Sequence, residues 1–151
     1  VTALGIITVV VIGTMVGVEL AVAAFVNPLL NRLPTDSSLA ARADGGRVLG
    51  RLMPFWYVAS LVLVVGWGVL AWGEPSSAPA LVSAGLLAVS VAMSVLLLVP
   101  INSRAMTWTP ETAPPDWREQ TQRWDRLHYV RVAVILGAFA LVALALARVS
   151  A

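Results

Sequence analysis

The stretch LGIITVVVIGTMVGVELAVAAFVNPLL, Leu4–Leu30, decides the fold. A helix of ~20 apolar residues, rising ~1.5 Å per residue, crosses the ~30 Å hydrocarbon core of a bilayer. Leu4–Leu30 has that length and carries a single ionisable residue, Glu19. Phe55–Trp72, Ala80–Val99 and Val130–Ala147 repeat the pattern. Within lipid the backbone must satisfy its own polar groups, which helices do. The sequence therefore predicts an all-α transmembrane four-helix bundle. It forms a single integral membrane domain over residues 1–151, with spans near 4–30, 54–73, 79–99 and 129–148.

The composition agrees. Of 151 residues, 59% are hydrophobic and only 12% charged, about half the charged share of a soluble domain. Mean hydropathy is +0.86. The pI near 9.9 reflects a net charge of only +2, all of the basic residues being arginine beside the apolar spans. That distribution reads as membrane topology and not as a nucleic-acid surface. With no cysteine, disulfides, thiolate nucleophiles and Cys-ligated metals are excluded. One histidine and no cysteine do not make a three-ligand zinc site, so no metal site is assigned. No phosphate loop, dinucleotide fingerprint or Ser-His-Asp order is present. The first span has no positive n-region and exceeds a signal peptide's apolar core, so it reads as a retained helix.

Between the spans the sequence predicts further helix. Pro34 stops helix 1, and Ser37–Leu52 reads as a short interfacial helix weakened by Gly45-Gly46. Helix 2 is expected to begin near Met53, with Pro54 in its first turn. Helix 3 is expected to stop near Pro100. Asp116 opens a cytoplasmic helical extension that runs into helix 4.

Arginines 32, 42, 47 and 51 flank the first connection, and 104, 118, 123 and 126 the third. The second has none. The positive-inside rule predicts connections 1 and 3 in the cytoplasm and both termini outside a cell (inner) membrane. Gly13 and Gly17 form a G-x-x-x-G pattern that permits a homo-oligomer.

The polar residues inside the apolar runs are the candidates for chemistry. A charged carboxylate at the depth of Glu19 costs ~2.5–3.5 kcal/mol on insertion scales. It is therefore a proton acceptor or substrate anchor, or a protonated or Arg-paired carboxyl that fixes packing. Asn27 and Asn31 follow at +8 and +12 on one broad face, suited to ligand contact or to interhelical bonding. Before helix 4, Trp117, Thr121, Trp124, His128 and Arg131 form one helical stripe. A neutral imidazole beside a fixed guanidinium suits proton abstraction with the anion held in place, although both also occur as headgroup-facing residues. Asn102 follows Pro100 as a C-cap or a ligand contact.

The set Phe25-Val26-Asn27-Pro28-Leu29-Leu30, Val99-Pro100-Ile101-Asn102, Asp116-Trp117-Arg118 and Arg123-Trp124-Asp125-Arg126-Leu127-His128-Tyr129-Val130-Arg131 carries a resemblance. Its P-x-N, then W, then W-x3-H-x2-R order resembles the anthrone oxygenase-like family of small four-helix membrane proteins. The resemblance implies oxygenation of an apolar polycyclic phenol or anthrone, with O2 as co-substrate and no flavin or haem. A metal or quinone held by backbone and Asn oxygens stays compatible with the sequence. On that implication His128 is the base, Arg131 stabilises the oxyanion, and Glu19 orients either or relays the proton. Asn27, Asn31 and Asn102 contact the substrate, and Trp108 and Trp124 stack on it. The alternatives are a non-enzymatic membrane protein that binds a small molecule or acts as a partner subunit or scaffold, and a small transporter or channel, for which four helices offer little room unless the chain oligomerises.

Overall fold

The structure, a computed structural model, describes residues 1–149. Four helices account for nearly all of it: α1 (Thr2–Leu30), α2 (Thr35–Leu70), α3 (Ser77–Ala105) and α4 (Trp117–Val149). Each is long and apolar enough to cross a membrane. No strand occurs among the described residues. The protein is a membrane four-helix bundle.

The core runs along the bundle axis through Ile12, Met15, Val64, Trp67, Leu87, Ile135 and Val142, all fully buried. The outer faces stay apolar: Ile6, Ile7, Val62, Val82 and Leu96 are exposed. A soluble helix would carry charge there, whereas lipid favours hydrocarbon. Small residues bring helices together. Phe139 of α4 lies over Gly13, where a Cβ would come within 2.9 Å of its ring. The Ser83 hydroxyl donates to the Ala138 carbonyl at 2.8 Å, and the Trp56 indole donates to the Val11 carbonyl at 3.0 Å. Gly73 turns the chain between α2 and α3 with φ of +88°, a conformation open to glycine.

Two expected helix boundaries are corrected. The segment Ser37–Leu52 is helical, but it continues into helix 2 as one helix of 36 residues and is not a separate interfacial element. Its inner face is held by protein, not by a lipid surface: Leu39 and Ala43 are buried, and Arg42 pairs with Asp125 at 3.1 Å. Those anchors outweigh the ~1 kcal/mol helix penalty of each glycine in Gly45-Gly46. Pro54 lies inside this helix. It crowds the carbonyl four residues back, which belongs to Gly50, a residue with no side chain.

Helix 3 does not stop at Pro100 but runs on to Ala105. A single π turn, Ser94–Leu98, precedes the proline. The wider i→i+5 ring accommodates the proline's missing N–H without ending the helix. The same device recurs in α1, where the π turn Val22–Val26 precedes Pro28.

The extension before helix 4 is present, since α4 starts at Trp117. The preceding loop is tied by Thr109, whose amide donates to the Thr112 hydroxyl at 2.9 Å and whose hydroxyl donates to Glu111 at 2.8 Å. That hydroxyl holds the Glu111 carboxyl below the usual carboxylate range. The short α1–α2 connection and the longer α3–α4 connection, both flanked by arginine, lie together at one end of the bundle, the arginine-rich end, where Arg118 donates to the Thr35 hydroxyl at 3.2 Å.

Candidate functional site

Glu19, the costliest residue in α1, is 4% exposed and faces the bundle interior. Two other helices reach it directly and the third through Arg131. The Arg131 guanidinium of α4 donates from Nη2 to Glu19 Oε2 at 2.6 Å. The Tyr57 hydroxyl of α2 donates to Oε1 at 3.1 Å. His128, one turn before Arg131 and fully buried, brings Nδ1 to 3.5 Å from Oε2. Arg131 also donates from Nη1 to the Ser94 hydroxyl at 2.7 Å, which brings in α3. Ser94 opens the π turn of that helix.

The hydrogen bonds fix the histidine's tautomer. A guanidinium only donates, and Arg131 Nη2 lies 3.0 Å from His128 Nδ1. A carbonyl oxygen only accepts, and that of Glu19 lies 3.1 Å from Nε2. The proton therefore sits on Nε2 and the lone pair on Nδ1, beside the carboxylate and the guanidinium. Trp124 stacks on the imidazole with ring centroids 4.8 Å apart and planes 15° from parallel.

This cluster borders a cavity of about 400 Å3, within the range of small-molecule sites. Its wall is otherwise mostly apolar, drawn from all four helices. Asn27, Asn102, Trp124 and Tyr57 line it with Glu19, His128 and Arg131. Four buried donors of wall residues have no partner among the described residues: Asn27 Nδ2, Arg42 Nε, Trp124 Nε1 and Arg131 Nε.

The π turn explains how Asn27 reaches it. Eight residues of regular α-helix would place Asn27 roughly 80° around α1 from Glu19. One residue absorbed by the i→i+5 turn reduces that to about 20°. α3 repeats the arrangement: Ser94 and Asn102 are also eight apart across a π turn, and both line the cavity.

Two predicted contacts lie elsewhere. Asn31 is exposed at the arginine-rich end and forms a separate clasp. Its amide donates to Asp125 at 3.1 Å, its oxygen accepts from Arg42 at 2.7 Å, and Arg42 bridges both Asp125 oxygens at 3.1 and 3.2 Å. Trp108 is half-buried in the turn after α3 and is not part of the cavity wall. Trp117, at the head of the predicted stripe, packs instead under the Arg118 guanidinium, 4.5 Å from its ring centroid.

A comparison with protein-family models matches residues 47–141, well over half of the sequence, to the family described as anthrone oxygenase. The chain belongs to the anthrone oxygenase family. Comparison with curated proteins and with solved structures gives no match. The matched region of this anthrone oxygenase family member contains Tyr57, Ser94, Trp124, His128 and Arg131. Glu19 lies outside it, so its place in the site rests on the geometry alone.

Sequence reasoning passed over Tyr57, Ser94, Arg42 and Asp125. Tyr57 had a signal in principle, since a phenol buried in a span needs a partner and Glu19 was the acceptor at hand. Ser94 had none, because serine is common in membrane helices.

Proposed function

We propose that this protein oxygenates an apolar polycyclic phenol or anthrone by removing a proton and letting the resulting carbanion react directly with O2. The observation that carries this reading is the convergence of Glu19, His128 and Arg131 on one end of an apolar cavity of about 400 Å3 whose wall residues hold four unpaired donors. Unpaired buried donors are costly, and a ligand with carbonyl and phenolic oxygens would satisfy them. Flat apolar rings fit the remaining wall.

The chemistry balances without a resident cofactor. A CH2 group between two aromatic rings, opposite a ring carbonyl, is acidic because its anion spreads onto that oxygen. Arg131 Nε and the Asn27 and Trp124 donors hold the developing oxyanion. As Arg131 turns to that oxygen, its bond to His128 Nδ1 is released, and this lone pair accepts the CH2 proton. Glu19, clamped by Tyr57, balances the imidazolium. The carbanion passes one electron to O2, and the carbon radical and superoxide combine to form the C–O bond of a peroxide. The imidazolium returns its proton to the peroxide. Loss of the second CH2 proton expels the distal oxygen as water and leaves the new carbonyl. One O2 is consumed and one water formed per quinone.

Asn102, on the same wall, would hold a second oxygen. Trp108 and Asn31 take no part in this scheme, because neither lines the cavity. By the positive-inside rule the arginine-rich end faces the cytoplasm and both termini lie outside.

The test is direct. Proteoliposomes are mixed with emodin anthrone in air, and anthraquinone absorbance is followed together with O2 uptake. Quinone should form well above the spontaneous rate, with one O2 consumed per quinone and no hydrogen peroxide accumulating. His128→Ala should lose about a hundredfold in rate, the usual scale of a general base. A wild-type rate equal to that of His128→Ala would leave a binding protein or scaffold as the reading.

A further inference from the structure

The cavity's entrance can be located from the way the four helices are joined. Adjacent helices meet along four seams. Three are bridged by side chains at cavity depth: Tyr57 to Glu19 joins α2 to α1, Arg131 to Glu19 joins α4 to α1, and Arg131 to Ser94 joins α4 to α3. The α2–α3 seam differs. Hydrogen bonds close its two ends, Ser77 donating to the Gly68 carbonyl at 2.8 Å and Arg47 to the Met106 carbonyl at 3.4 Å. Between those points the polar contact across it is that of Tyr57 with Ser90, both buried.

Packing says the same. At one end a Cβ on Gly68 would lie 2.6 Å from Leu81 Cδ2, and at the other a Cβ on Gly46 would lie 2.9 Å from Asn102 Oδ1. Glycine permits close approach at both points. Between them each helix carries an irregularity, Pro54 in α2 and the π turn Ser94–Leu98 in α3. Kinks are attributable to such features. At that level Val58, Val95 and Val99 line the cavity and are nevertheless 60%, 59% and 51% exposed, more than Val26 of α1, which also lines it and is 43% exposed. A residue that both lines a cavity and faces outward marks its rim. All three are aliphatic and lie in spans that cross the membrane, so the rim faces hydrocarbon.

We propose that the cavity is loaded sideways from the bilayer, through a window between α2 and α3 framed by Val58, Val95 and Val99, by an apolar molecule that enters with its oxygen-bearing end first. The orientation follows from the walls. Three of the four unpaired donors, Asn27 Nδ2, Trp124 Nε1 and Arg131 Nε, are carried by α1 and α4, across the bundle from the α2–α3 seam; the fourth, Arg42 Nε, is on α2 near the arginine-rich end. An acceptor-rich end is drawn inward and the hydrocarbon part is left toward lipid. This deepens the proposed function by naming how its substrate class arrives, and it rests on the same cavity being a ligand site, but not on turnover.

The experiment reads binding. The probe is 1,8-dihydroxyanthraquinone dissolved in vesicle lipid, and its arrival is followed by quenching of protein tryptophan fluorescence in stopped flow. Val58→Phe/Val95→Phe narrows the window. Val62→Phe is the control, since Val62 is 65% exposed on α2 and lies outside the cavity wall. A gate slows entry and exit alike. The double variant should lower both rate constants about tenfold while the dissociation constant stays within about threefold, and Val62→Phe should match wild type. Equal rates in the double variant and the control would overturn the window. So would a weakened affinity with unchanged association rate, which would make the valines part of the binding wall only. Failure of the probe to bind wild type would overturn the proposed occupant.

The chain has no native cysteine, so Val95→Cys labelled with a bimane gives a second reading that does not depend on bulk. Doxyl groups on lipid acyl chains should quench it, and added probe should reduce that quenching. A label indifferent to the doxyl lipids would overturn the rim's placement. If gating is observed but emodin anthrone is not oxidised, the oxygenase reading fails and the window stands. If turnover occurs without gating, the reverse holds.

Discussion

Glu19 and Arg131 lie 112 positions apart in the chain, on the first and last helices, and their side chains meet at 2.6 Å with both residues buried. Either charge alone at that depth would be costly. Together they leave few polar atoms unmet, because Tyr57 takes the other Glu19 oxygen and Ser94 the other arm of Arg131. The pair is therefore structural as well as a candidate for chemistry, and the two contributions separate by substitution.

Glu19→Gln should destabilise the bundle strongly. It keeps the shape but removes the counter-charge of Arg131, and breaking one side of a buried pair costs about 3–5 kcal/mol. The double variant Glu19→Leu/Arg131→Met should recover most of that loss, because aliphatic side chains of similar volume need no partner. Thermal unfolding in detergent micelles measures both. A double variant no more stable than Glu19→Gln would show that the pair contributes more than mutual neutralisation.

The four spans were legible because bilayer thickness imposes a length and composition that little else produces. Glu19, His128 and Arg131 were legible for the related reason that ionisable groups rarely enter such spans without a partner. The helix ends were not. Pro54 and Pro100 read as boundaries because proline removes an N–H and crowds the preceding turn, but both helices continue, one with Gly50 beneath its proline and the other with a π turn before it. The same π geometry shifts the angular register, so a face drawn from a 3.6-residue period no longer fixes where the residues beyond the turn point: Asn27 reaches the cavity and Asn31 does not. Trp108 and Asn31 illustrate a further limit. Aromatic and amide character indicates that a residue has something to contact, and only tertiary packing decides whether that is a cavity or another loop.

The G-x-x-x-G pattern in α1 divides into two unequal glycines. Gly13 is covered by Phe139 of the same chain, with a Cβ placed 2.9 Å from the ring, while Gly17 has nothing within 4 Å. Gly13→Ala should lower stability by about 1–3 kcal/mol, the usual cost of overpacking. Gly17→Ala should leave folding unchanged or improve it slightly through helix propensity. Unfolding of the two variants side by side tests this; equal effects would mean that α1 and α4 do not meet at Gly13.

The clasp at the arginine-rich end ties three helices. Asp125 of α4 receives Arg42 of α2 and Asn31, the residue next after α1. Asp125→Asn should cost about 2 kcal/mol, the scale of hydrogen bonds to a charged group. The loss should be local. Amide exchange should accelerate in the first part of α2, which the clasp holds, and remain slow around Val64 and Trp67 in the buried core. Uniform acceleration along α2 would show that this segment folds as one unit with the core.

Asn27 gives the sharpest separation of stability from function. It is 4% exposed, and its Nδ2 has no partner among the described residues. An unmet buried donor costs about 1–3 kcal/mol, so Asn27→Leu should raise the unfolding temperature. The same donor is offered to an oxygen of the proposed ligand, so this stabilised variant should bind 1,8-dihydroxyanthraquinone about tenfold more weakly, the equivalent of one lost hydrogen bond. Opposite signs are the diagnostic outcome, because a residue retained for packing alone would lose both together and a residue on an unused wall would gain stability without losing affinity. Titration of tryptophan quenching in proteoliposomes, run beside thermal unfolding of the same preparations, measures the two effects on one sample. If Asn27→Leu proves less stable than wild type, Nδ2 is satisfied within the protein itself, and the donor-lined wall that draws an oxygenated ligand inward loses one of its four members.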